Sequence, residues 1–213
     1  MRSTRTPGSR ACRFVAAGTA LAISLGVAAC GTGGPPPTIY VLGTPAPAIA
    51  STEPLTGRPV IEVKRVLVPD YLDVSDIMIR RSANVLAPSP RGRWGERLSV
   101  GVTRALAFDL ARQLPDLVVT TTPVGTPALQ VLVEIEDFTP RPDGTVVLLA
   151  RWRVLDDTTQ RTLAGECVSL TDQAAGSGDA AIAAAMTREL DKLAGHVAAG
   201  VTRAVRQFTR GGT

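Results

Sequence analysis

The stretch from Leu129 to Val154 does most to narrow what this chain can fold into. Leu129, Val131, Val133 and Ile135 alternate with Gln130, Glu134 and Glu136, and after Pro140–Gly144 the pattern resumes through Val146, Leu148, Ala150, Trp152 and Val154. Successive side chains of a strand point to opposite faces, so the pattern demands two half-buried strands. Asp143-Gly144 supplies the permissive backbone of a tight turn, which joins them as an antiparallel hairpin. One register satisfies both faces: with Glu134 opposite Arg151, Val133 meets Trp152 and Ile135 meets Ala150. Arg161 to Leu170 is expected as a third strand after the turn at Asp156-Asp157.

The dry face of such a sheet needs a cover. Ile182, Met186, Leu190, Leu193, Val197, Val201, Val205 and Phe208 recur every three or four residues, while Arg188, Lys192, Arg203 and Arg206 fall largely off that stripe. This periodicity predicts a helix of about 28 residues with one buried face. Ser177 or Asp179 is its candidate N-cap, and Arg210 with Gly211 fits its end. A second helix is predicted over 94–114, where Leu98, Val102, Leu106, Leu110 and Leu114 step by four and Pro115 closes the run. Val60 to Val68, stopped by Pro69, and Leu117 to Thr122 read as strands, and Ile39 to Leu42 as a short one. Ile77 to Arg81 and Asn84 to Ala87 form either a hairpin or an irregular edge. The expected fold is therefore two-layer α+β, a mainly antiparallel β-sheet with two long helices packed on one face, over residues 60–213.

The first 29 residues read as an address. MRSTRTPGSRACR is basic, Phe14 to Ala29 is apolar and rich in small residues, and Val27-Ala28-Ala29-Cys30 ends the run. That run is shorter than the roughly 20 residues of a membrane-spanning helix. LGVAAC looks like the lipobox of bacterial lipoproteins, so Cys30 is the expected lipidation site: its thiolate takes a diacylglycerol, and the amine freed by cleavage takes an acyl chain such as palmitate. At ~0.8 kcal/mol per buried CH₂, several chains make a lasting anchor where one would not. Residues 30–59 then comprise the lipidated cysteine, a tether and a proline-rich loop. GTGGPPP favours extended polyproline II structure and spans roughly 20 Å over its seven residues. Bacterial lipoproteins of this kind stay at the inner membrane when Asp follows the cysteine. Gly31 follows here, and the periplasmic face of the outer membrane is the expected address.

Charge and cysteine content exclude several function classes. The net charge of +4 comes from Arg2, Arg5, Arg10 and Arg13, and without them basic and acidic side chains are equal in number. A neutral mature chain has no global attraction for nucleic acid. Once Cys12 leaves with the leader and Cys30 is acylated, Cys167 has no disulfide partner, and it is expected as a buried small hydrophobe. His196 is the sole histidine, so neither a serine-type triad nor a multi-histidine metal site is expected, and no cofactor motif occurs. Glu134 and Glu136 share a wet strand face and are read as solvated partners of Arg151 or Arg153 rather than an acid–base pair. Arg80, Arg81, Arg91, Arg93 and Arg97 crowd one region. They suit lipid phosphates or an acidic partner, but Asp70, Asp73, Asp76 and Glu96 lie nearby to neutralise them.

Taken in order, the lipobox at Cys30, IYVL at 39–42, VPDYLDVSDIMIRR at 68–81 and RWGERL at 93–98 resemble the PqiC/YmbA-type auxiliary lipoproteins of ABC transport. The similarity continues through AFDLARQL and LARWRVLDD and covers nearly all of the mature chain. It departs at Ile39, where the family often has tyrosine, and at Val74-Ser75, where a basic or polar pair is common. The resemblance implies a non-enzymatic lipoprotein of the outer membrane that works with an MCE-domain periplasm-spanning protein and inner-membrane transporter components in lipid transport or envelope integrity. It brings no catalytic residues and no metal. Tyr71, Arg80 and Trp94 occupy its recurring motifs and are the candidates for a partner surface, although Trp94 equally suits a role anchoring a helix to the sheet. A homo-oligomeric ring rests on the same analogy. A lipoprotein that itself holds a phospholipid or other hydrophobic ligand between sheet and helices is the alternative.

Overall fold

A computed structural model describes residues 35–43, 57–122 and 125–211, with side chains to 207. The expected leader, Cys30, the glycines of the expected tether and most of the proline-rich stretch lie outside the described residues. The elements are β1 (Thr38–Tyr40), β2 (Val60–Val63), β3 (Asp76–Ser82), β4 (Val85–Trp94), α1 (Leu98–Gln113), β5 (Val118–Thr120), β6 (Leu129–Pro140), β7 (Thr145–Asp156), β8 (Thr162–Gln173) and α2 (Asp179–Gly211). They form two sheets, one of three strands ordered β1-β4-β3 and one of five ordered β5-β2-β6-β7-β8. The β3–β4 and β6–β7–β8 ladders are antiparallel and hold most of the paired residues; β2 runs parallel to both β5 and β6, and β1 parallel to β4. The fold is α+β, as the sequence patterns predict, with the addition that the strands divide between two mixed sheets.

The hairpin adopts the register that charge and apolar pairing together select: Val133 pairs with Trp152, Glu134 with Arg151 and Ile135 with Ala150. Gly144 turns it at φ +84°, a conformation that favours glycine. Beyond Ile135 a bulge inserts one residue, and Phe138 turns inward opposite Leu148. The inward faces of β6 and β7 are buried, with Trp152, Val146, Leu148 and Val131 at 0% exposure. The α2 stripe from Ile182 through Met186, Leu190, Leu193 and Val197 to Val201 is buried against β7, β8 and α1. Gly200 marks the closest approach, since a Cβ there would lie 2.2 Å from the Trp152 ring. A mid-helix glycine costs about 0.5–1 kcal/mol relative to alanine and here lets an indole lie on the helix backbone.

Three boundaries differ from the sequence reading. The helix expected from Trp94 starts at Leu98, because Trp94 closes β4 and donates its N–H to the Ser75 carbonyl at 2.7 Å. Asp73 supplies the start signal from outside the helix, its carboxylate accepting the Ser99 N–H at 2.8 Å. Second, β4 runs past Ala87 through two prolines. Pro88 pairs with Met78, and Pro90 falls within the register shift that follows. Third, β2 ends at Val63, after which Val66 donates to Thr103 Oγ1 at 2.9 Å and Leu67 rejoins β6 through Val133 and Ile135. At α2 the chain enters through Gly178, whose carbonyl accepts the Ile182 N–H. Asp179 is the first helical residue, and its carboxylate accepts from Ser89 Oγ at 2.7 and 2.8 Å.

Candidate functional site

The three motif residues occupy three different environments. Tyr71 is 52% exposed on the turn after Pro69, close in sequence to Leu67 at 64%. Arg80 reaches across from β3 to β6, donating from Nη2 to Asp137 at 3.3 Å and from Nε to Thr139 Oγ1 at 3.2 Å, with Nη1 on the Ala83 carbonyl. Its guanidinium ties the small sheet to the large one along the β6 edge that β2 leaves open. Trp94 is 4% exposed and packs with Leu72, Ile77, Leu98, Phe138 and Met186, so it presents no surface to a partner. A space of about 10 Å³ remains among these side chains.

The arginine cluster splits in two. Arg93 pairs with Asp76 at 2.7 Å, Arg97 with Asp73 at 3.2 Å and Arg80 with Asp137, while Glu96 is taken by Arg104 at 2.8 Å. Burial works against ionisation of Asp73, yet the Ser99 hydrogen bonds and the Arg97 and Arg65 charges hold its carboxyl below the ordinary value of 3.8. Arg81 and Arg91 have no carboxylate at ion-pair distance among the described residues. They line a cleft of about 500 Å³ together with Arg141 and the segment that opens α2. Arg141 lies in the PRPDG turn, and only the tertiary fold brings it to the other two.

Chemistry-bearing side chains elsewhere are engaged structurally. Glu134 and Glu136 are half exposed, at 3.9 and 2.8 Å from Arg151, which matches a solvated and charge-paired face. His196 Nδ1 stands 3.4 Å from the Glu166 carboxylate on the surface. Cys167 is exposed, contrary to the expectation of a buried thiol: it pairs with Arg151, so it shares the wet face of the sheet while Val168 turns inward. Burial pushes the Glu189 carboxyl above its ordinary value against the pull of Lys192 at 3.1 Å, and it does the same to Asp109 beside Arg112. Arg112 also reaches Asp191, which ties α1 to α2. Among the described residues no group of three or more His, Cys, Asp or Glu side chains is placed to hold a metal ion, and no helix is long and apolar enough to cross a membrane.

A model of the family described as ABC-type transport auxiliary lipoprotein component matches residues 40–198, and the chain belongs to that family. This is a transport auxiliary family of the cell envelope and not a known enzyme family. Over 96 residues, 45% of its length, the chain is 28% identical to the intermembrane transport lipoprotein PqiC of Escherichia coli, and equally to that of Shigella flexneri. It spans about half the length (51%) of these curated relatives. Among solved structures it is similar to an uncharacterized protein, with a TM-score of 0.66 at 21% identity, covering 78% of this chain and 99% of that one. A protein from Xanthomonas campestris gives 0.63 at 14% identity, covering 82% and 97%. These two structures share the fold.

Proposed function

We propose that Cys30 is acylated, that the protein is held on the periplasmic face of the outer membrane, and that its folded domain is a non-enzymatic docking subunit. Its partner is an MCE-domain periplasm-spanning protein working with inner-membrane transporter components in intermembrane lipid transport. The observation that carries this reading is the coexistence, in one chain, of a lipobox leader ending at Cys30 and a transport auxiliary family match beginning at residue 40. The described side chains support docking: Glu136 is paired with Arg151, Glu189 with Lys192 and His196 with Glu166. Exposed Ile39 and Val41, on and just after the edge strand β1, offer an apolar margin for a partner, and a ring of copies would suit a symmetric one.

Crosslinking in native membranes tests the proposal. An MCE-domain protein is the expected crosslinked product, and its absence from membranes that contain the acylated protein would refute docking. Intact mass of the N-terminal peptide checks the anchor separately: a cleaved, acylated Cys30 is expected, and a retained Met1 without lipid refutes it.

A further inference from the structure

We propose that the arginine-lined cleft at the start of α2 binds a phosphate group, and that its occupant in the envelope is the headgroup of an anionic phospholipid. Three arginines line it from separate segments, Arg81 from β3, Arg91 from β4 and Arg141 from the β6–β7 turn. All three residues are exposed and have no ion-pair partner among the described residues, whereas Arg80, Arg93 and Arg97 of the same neighbourhood are paired. The two carboxylates in the cleft wall already serve as acceptors: Asp179 takes the Ser89 hydroxyl, and Asp143 takes the Thr145 N–H at 2.9 Å. The three arginines outnumber the two carboxylates by one, with Arg141 acting on the charge of Asp143, and their planar donor forks match the oxygens of a phosphate.

The position of the cleft selects the phosphate source. Strand β1 enters the fold with Thr38 paired to Gly92, the residue after Arg91. Seven residues lie between Cys30 and Thr38, and the eight steps from one to the other span roughly 25 Å when extended. Once Cys30 is acylated, the phosphates within constant reach of these arginines are those of the surrounding headgroups. This step rests on the acylation proposed above; the cleft itself does not.

The test uses the full chain in neutral detergent, titrated with glycerol phosphate and followed by hydrogen exchange over residues 88–92 and 174–182. The same chain is then placed in vesicles of phosphatidylcholine with or without phosphatidylglycerol. Saturable protection by glycerol phosphate, and protection on the phosphatidylglycerol vesicles alone, are expected. Combined R81Q, R91Q and R141Q substitutions should weaken binding about tenfold or more, one factor of ten corresponding to about 1.4 kcal/mol, while R153Q leaves it unchanged. Protection by soluble phosphate without protection on vesicles overturns the membrane assignment. No protection, protection that persists in the triple variant, or protection by polyglutamate alone overturns the site. Mass analysis of Cys30 separates the two proposals: vesicle protection with unacylated Cys30 refutes the anchor, and acylated Cys30 without protection refutes the cleft.

Discussion

In the β6–β7 hairpin beneath α2, apolar side chains meet across the inward pairs from Val131–Val154 to Phe138–Leu148, and the Trp152 ring lies directly against Gly200. The β3–β4 hairpin and the start of α1 share that core through Ile77, Trp94 and Leu98, but they add a set of polar ties: Arg80 on Asp137 and Thr139, Asp73 on Ser99 and Arg97, Ser89 on Asp179. The difference teaches where function can be placed. A packed apolar layer is stiff and leaves little to vary, whereas a region tied by charge has guanidinium groups left over at its margin, and those form the cleft.

The comparison is sharpest under substitution. Trp152→Ala should have the largest effect, about 3–5 kcal/mol less stability in urea denaturation, because it empties the centre of the stiff layer. A loss below that of any single polar contact would refute the contrast. Gly200→Ala is next: the added methyl has to displace the indole, and about 1–3 kcal/mol of overpacking is expected, where an ordinary helical site would gain stability. On the polar side, Asp73→Ala should cost about 1 kcal/mol by removing the non-local cap of α1. Its pH dependence is distinctive. Because the folded carboxyl titrates below 3.8, its contribution is present above that value and is lost as pH falls through the folded pKa. The stability gap between wild type and variant should therefore be open at pH 7 and narrow in acid. Glu136→Gln should be the smallest, with no resolvable shift in the denaturation midpoint, since its pair with Arg151 stands in solvent.

Much of the scaffold is legible in the sequence, and the candidate site much less so. The register of Val133 on Trp152 follows from alternation because one shifted residue would move the whole apolar set into water. The α2 stripe follows from its period for the same reason. The bulge after Ile135 has a weak signal, Phe138 arriving three residues after Ile135 where alternation would place an apolar residue at two or four. The start of α1 has none, because its cap is Asp73, 26 residues before Ser99. Cys167 departs from expectation for a related reason: composition favours burying a lone thiol, but strand parity against Arg151 turns it outward. The arginine cluster was visible as a crowd on one stretch of sequence. Which members are paired, and that Arg141 completes the remainder, depends on strands distant in sequence.

The sequence alone determined the parts governed by period: the hairpin and its register, the two helical stripes and the α+β class, together with a leader pattern ending at Cys30. Periodicity is local, and burial rewards every residue of the repeat in the same way. The tertiary structure decided how the strands divide between two sheets, which distant aspartate starts α1, and which arginines stay unpaired around the cleft. Those outcomes are set by single polar contacts between segments far apart in the chain, and a one-dimensional pattern carries no record of which charge will meet which.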